Sequence, residues 1–165
     1  MKETHLGRLW APWRLKYIRS HKSGRACIFC RAAKDRREAQ VIFRTKHALV
    51  MLNAFPYNNG HLMVCPLRHS AEILSLDEAE ALGLFRAVTE AKRLLDKTLK
   101  PEGYNIGLNI SRAAGAGITG HLHIHIVPRW LGDSNFMPVV SGTKVVSQSL
   151  RELRKMLRHA YKKNA

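Results

Sequence analysis

The sequence predicts an α+β domain: a five-stranded antiparallel sheet carrying one long helix and a C-terminal helix. Three observations lead there. Short apolar segments cluster before and after a single long amphipathic stretch. Strands that cluster instead of alternating with helices favour antiparallel pairing. At 165 residues the chain fits one core, in which roughly 70% of the unfolded surface can be buried.

Residues 1–26 read as a basic aromatic arm, with Trp10, Trp13 and Tyr17 set among Arg8, Arg14, Lys16, Arg19, Lys22 and Arg25, and with Pro12 interrupting any long helix. The burial energy of its aromatics favours packing of this arm on the domain formed by residues 27–165. Extended segments follow at 41–44, 48–53 and 61–65, separated by Thr45-Lys46 and by the turn-forming run 56–60. Ser75-Leu76-Asp77-Glu78 has the pattern of a capping box. Apolar residues then recur at Leu82, Phe85, Val88, Ala91 and Leu95, so a helix is expected over 76–99, ending before Pro101-Glu102-Gly103. Two more strands are expected at 105–110 and 121–127, joined by the loop 111–120. A second amphipathic helix is expected over 145–162, with Val146, Leu150, Leu153 and Leu157 on one face.

Composition narrows the class of protein. Hydrophobic residues make up 45% and charged residues 24%, which is globular and not disordered or fibrous. The longest apolar runs, such as 48–52 and 62–65, fall far short of the ~20 residues needed to cross a bilayer. The N-terminus has cations but no apolar stretch of a secretory signal, so the cytoplasm is the expected location. A net charge of +16 attracts polyanions, whether nucleotides, nucleic acid or acidic membrane, although such charges also simply solvate a surface. Three cysteines cannot all pair, and Cys27-Ile28-Phe29-Cys30 has the spacing of half a zinc site or of a redox motif. Cys65 alternates within a strand and reads as a buried apolar residue.

The chemistry concentrates at His121-Leu122-His123-Ile124-His125-Ile126-Val127-Pro128-Arg129. Side chains alternate along a strand, so the three histidines share one face and the aliphatic residues the other. Three imidazoles in register can ligate a catalytic zinc, or one can be a nucleophile that the others orient. Spacing alone leaves both open. The loop Ala113-Ala114-Gly115-Ala116-Gly117-Ile118-Thr119-Gly120 would let backbone N–H groups approach an anion, which points towards phosphoryl chemistry. Its glycines match G-x-G-x-x-G, but a strand and not a helix follows, so a dinucleotide-binding fold is rejected. Neither a P-loop, nor H-E-x-x-H, nor a deaminase pattern occurs.

These segments resemble the histidine-triad superfamily. The resemblance rests on His121-x-His123-x-His125, on the block from Asn53 through Gly60-His61 to Pro66, and on Asn109 with Ala113, Gly115 and Gly117, covering roughly residues 27–135. Within the superfamily, Leu9-Trp10-Ala11-Pro12-Trp13-Arg14, Pro128-Arg129-Trp130 and Gly132-Asp133-Ser134-Asn135-Phe136 resemble the bacterial branch acting on diadenosine polyphosphates. The resemblance implies that His123 attacks the α-phosphorus of an adenine nucleotide, forming a covalent nucleotidyl-histidine that then yields to water or phosphate. It implies that His125 contacts the phosphate oxygens, that His61 sets the tautomer of the triad, and that Asn109 binds phosphate or the leaving group. Asn53 would hydrogen-bond the ribose, with a turn-initiating asparagine as the structural alternative. Gly115, Gly117, Ile118 and Thr119 would line the nucleotide. Many relatives have Ser or Thr where this chain has Ile118.

The resemblance also implies a closed, structural zinc site formed by Cys27, Cys30, His69 and His121, together with a homodimer. Magnesium would come only with a polyphosphate substrate. Arg129 and Trp130 could reach a distal phosphate or base, or could simply pack. The phosphorylase and uridylyltransferase relatives place glutamine where His125 stands, which leans the reading towards hydrolysis, with a dinucleotide phosphorylase as the alternative. A nucleic-acid-binding protein acting on adenylated DNA ends is a third class, suggested by the charge and the arm. The registered triad is the more specific signal.

Overall fold

The computed structural model describes residues 27–35, 40–133 and 148–164. In chain order the elements are helix α1 (Ile28–Lys34), strands β1 (Val41–Arg44), β2 (Ala48–Leu52) and β3 (Leu62–Pro66), a 3₁₀ turn (Ile73–Ser75), helix α2 (Glu78–Leu99), strands β4 (Gly103–Leu108) and β5 (Ile124–Arg129), and helix α3 (Leu150–Asn164). The arm at residues 1–26, Ser134–Phe136 and the start of the expected second helix at 145–147 lie outside the described residues. No helix among the described residues is long and apolar enough to cross a membrane.

The strands form one antiparallel sheet in the order β1-β2-β3-β5-β4. β2 and β3 are buried at every position, as their continuous apolar runs require of strands covered on both faces. On one face Val50, Leu52, Leu62, Val64, Ile124 and Ile126 pack against Leu84, Ala87, Ala91 and Leu95 of α2 and against Leu153 and Leu157 of α3. On the other, Leu49, Met51, Met63 and Cys65 pack against Phe29 and Ala32. The sequence reading missed α1, a short helix whose N-cap is Cys27 and whose first turn carries Cys30. Only β4 is largely exposed, as an edge strand with one partner.

The fourth strand lies at Gly103–Leu108 and not at 105–110, and the last helix begins at Leu150, with 148 and 149 not helical. Two further boundaries differ for reasons visible in the hydrogen bonds. The capping box is formed by Asp77 and Glu80: Asp77 Oδ1 accepts from the Glu80 amide at 2.7 Å, and Glu80 Oε2 accepts from the Asp77 amide at 3.2 Å. Ser75 is drawn into the preceding 3₁₀ turn, where its hydroxyl donates to the Glu72 carbonyl at 2.8 Å, so it cannot cap α2. The triad strand begins at Ile124 and not at His121. Its ladder with β3 ends at the Val64–Ile124 pair although β3 runs on to Pro66, its ladder with β4 ends at Leu108–Ile124, and the chain after β4 turns through Ser111 at φ 66°. Residues 121–123 are held instead by the segment after β3, with the Leu122 amide donating to the Ser70 carbonyl at 2.6 Å.

Gly60, at φ 78°, closes the turn that leads into His61. A Cβ there would stand 2.6 Å from Leu99 Cδ1 and 3.0 Å from Pro128 Cγ, so glycine is required by both conformation and space.

Candidate active site and metal centre

The sheet face away from α2 and α3 carries His61, His121, His123 and His125, all buried. A backbone N–H can only donate, so the hydrogen-bond partners determine where each neutral ring carries its proton. The Tyr57 amide donates to His61 Nδ1 at 3.0 Å. His61 therefore carries its hydrogen on Nε2, which donates to His125 Nδ1 at 2.9 Å, leaving His125 with N–H at Nε2. His123 Nδ1 donates to the His121 carbonyl at 2.8 Å, leaving a lone pair on Nε2. His121 Nε2 donates to the Pro66 carbonyl at 2.9 Å, leaving a lone pair on Nδ1. The three alternating histidines thus differ in what they offer: an N–H at Nε2 of His125, a lone pair at Nε2 of His123 and a lone pair at Nδ1 of His121.

Burial reinforces the neutral state. It pushes the imidazoles of both His121 and His123 below their ordinary values, and the hydrogen bonds to the Pro66 and His121 carbonyls only partly oppose this. Phe29, fully buried, lies against both rings, with centroids 5.1 Å from His121 and 5.0 Å from His123. The Tyr57 ring lies 4.6 Å from His61 and 5.6 Å from His125. Sequence reasoning assigned a role to neither aromatic. The position of Phe29 inside C-x-x-C and of Tyr57 four residues before His61 was the available signal.

The other expected site residues are placed less uniformly. Asn53 Oδ1 accepts from the Phe55 amide at 2.9 Å, which is the turn role, while its Nδ2 lies 3.4 Å from His61 Nδ1. Asn109 follows Leu108, the register partner of Ile124, one residue past the end of the β4–β5 ladder. In the glycine loop, the amides of Gly115 and Ala116 donate to the carbonyls of Arg112 and Ser111 at 3.0 and 3.3 Å, closing the turn. The amides of Gly117, Ile118 and Thr119 are not used in that turn. Ile118 itself packs against the cluster around Phe29. Arg129 does not project freely: it ion-pairs with Asp133 at 2.7 Å and donates to Asn105 at 2.7 Å. Cys65 is fully buried, and burial pushes its thiol far up, as an apolar role requires.

Beyond His123, the potential ligand atoms of Cys27, Cys30, His69 and His121 all lie within 4.8 Å of one another. Cys27 Sγ is 3.3 Å and Cys30 Sγ 3.6 Å from His121 Nδ1, Cys30 Sγ is 3.2 Å from His69 Nδ1, and the two Nδ1 atoms are 3.3 Å apart. A tetrahedral zinc with bonds of about 2.0–2.1 Å to nitrogen and 2.3 Å to sulfur separates two nitrogens by about 3.3 Å and nitrogen from sulfur by about 3.6 Å. These four donor–donor distances lie close to the edges of such a tetrahedron, so this cluster could bind a metal ion.

The model of the HIT domain matches residues 34–130, which span β1 to the end of the triad strand. The chain belongs to the HIT domain family. Among HIT relatives, an AP-4-A phosphorylase from Mycobacterium tuberculosis is 37% identical over 94% of this chain and 85% of its own length. A HIT-like protein from Methanocaldococcus jannaschii is 33% identical over 80% of this chain and 98% of its own. Among solved structures, a Zn-bound histidine triad family protein from Mycobacterium smegmatis superposes with a TM-score of 0.68 at 25% identity, covering 84% of this chain and 95% of that one. The five-stranded antiparallel α+β architecture expected from the sequence is therefore the HIT fold.

Proposed function

We propose that this HIT protein cleaves a dinucleoside polyphosphate such as diadenosine tetraphosphate by transferring a nucleotidyl group to His123 and then to a small acceptor. The observation that carries this reading is the His123 ring, whose Nδ1–H is committed to the His121 carbonyl while Nε2 keeps its lone pair. In the first step Nε2 attacks the α-phosphorus and the bond to the bridging oxygen breaks, releasing the remaining nucleotide. The Nε2–H of His125, set by the relay from Tyr57 through His61, donates to the phosphate oxygens as charge builds. The amides of residues 117–119 are offered to the same oxygens, Asn53 to the ribose and Asn109 to the leaving side.

In the second step the acceptor displaces His123. The third-position histidine leans towards water. The AP-4-A phosphorylase similar over most of both chains leans towards orthophosphate, and at 37% identity it is the stronger guide. Phosphorolysis of diadenosine tetraphosphate yields ADP and ATP, whereas hydrolysis yields AMP and ATP. Chromatography of the products with and without phosphate separates the two, and His123→Asn tests the mechanism: turnover by that variant at the wild-type rate would refute it.

Zinc is the ion we assign to Cys27, Cys30, His69 and His121. It would be structural, tying α1 to the start of the triad strand. Magnesium would enter only as counter-ion to a polyphosphate chain. A thiol pair kept reduced for metal binding supports a cytoplasmic site of action. The exposed β4 edge, with Ile106, Leu108 and Ile110 open to solvent, supports a homodimer formed through that strand.

A further inference from the structure

Helices α2 and α3 cover the sheet face opposite the imidazoles, and between them runs a cleft of about 600 Å³. From α2 it is lined by Arg86, Arg93 and Lys97, at spacings of seven and four residues, so the three exposed cations form one row along the helix. At 1.5 Å per residue they span about 16 Å. Neither Arg86 nor Arg93 has a salt bridge among the described residues. The acid in the cleft, Glu90, is hydrogen-bonded to the phenol of Tyr161 from α3. The other acids of α2 with assigned partners point to them elsewhere, Glu80 to Arg68 and Asp96 to Lys92. On α3, Arg154 and Arg158 stand seven and three positions before Tyr161, on its side of the helix. Beside the row Phe85 is 72% exposed and Leu82 49% exposed. None of these residues serves the triad.

We infer that the α2–α3 cleft binds single-stranded nucleic acid, with phosphates along Arg86, Arg93 and Lys97 and a base stacked on Phe85. The cations supply affinity that is independent of sequence, and an exposed aromatic at the edge of a cationic groove is a platform for a base. Concavity favours a strand lying in the cleft over a lipid bilayer, which needs a flat or protruding surface. The charge complementarity extends to the whole chain, at +16.

The test is fluorescence anisotropy of labelled single-stranded RNA and DNA 20-mers with the full chain across a salt series, alongside flotation with phosphatidylserine–phosphatidylcholine vesicles. Removing three phosphate contacts in R86S/R93S/K97S should reduce the slope of log K against log salt by about 2, since each contact on a single strand contributes about 0.7. Phe85→Ala should weaken binding about tenfold at fixed salt. The control is R31S/K34S/K46S, which removes equal charge at exposed positions that do not line the cleft and should keep the cleft's slope. All substituted α2 residues are solvent-exposed, and unchanged dinucleotide turnover confirms intact folding. Equal losses in the two triple variants, an unaffected Phe85→Ala, or binding to vesicles without binding to oligonucleotides would each overturn the inference.

Discussion

Among the residues, the proposed chemistry depends on where four imidazoles carry their protons. In the proposed mechanism His123 acts as the neutral imidazole, and burial lowers its pKa from the ordinary 6.5. The rate should therefore stay level as pH falls through 6.5 and decline only at lower pH; an acid limb centred at or above 6.5 would contradict this. Changing His61 to Ala removes the donor that orients His125, and single-turnover measurements should find nucleotidyl transfer slowed about 10- to 100-fold, the usual cost of losing such a supporting partner. The three-histidine face was legible in the sequence because alternation in an extended chain is local. The tautomers were not, because they depend on the Tyr57 amide and the Pro66 and His121 carbonyls, whose positions are set by tertiary turns.

At the scale of elements, α2 starts at a cap two residues later than the local pattern suggests. Asp77→Ala should cost about 1 kcal/mol in a denaturant titration, within the ordinary range for N-caps, whereas Ser75→Ala should leave the capping box intact. The long helix and the first three strands were legible because their periodicity and turn residues are contiguous. The helix after Cys27 was not, since seven residues show too little of a 3.6-residue period to stand out. The late start of β5 was likewise hidden, because the extent of pairing is set by partners far away in the chain, on β3 and β4.

For the whole molecule, the metal cluster and the sheet edge matter most. The four candidate ligands come from the N-cap and first turn of α1, from the segment after β3 and from the entrance to β5, so an ion there would clamp three distant parts of the chain. Chelation, or Cys27→Ser, should lower Tm by about 4–8 °C for a loss of about 2 kcal/mol at this chain length. Metal analysis of the purified protein showing zinc at one per chain completes that test. Light scattering should show a dimer that Ile106→Lys, on the exposed β4 edge, converts to monomer. The ligand set was legible only through the resemblance, because C-x-x-C alone leaves a thiol pair equally open. The strand order β3-β5-β4 followed from pairings far apart in the chain, which no local pattern encodes.

The central claim is the covalent nucleotidyl-His123. Its most direct test is rapid quench of wild-type enzyme with diadenosine tetraphosphate at neutral to mildly basic pH, followed by peptide mass spectrometry. The expected result is one adenosine monophosphate adduct on the peptide spanning His121–His125, assigned by fragmentation to His123, chased by phosphate and absent from His123→Asn. An adduct on another residue, or steady turnover by His123→Asn, would contradict it.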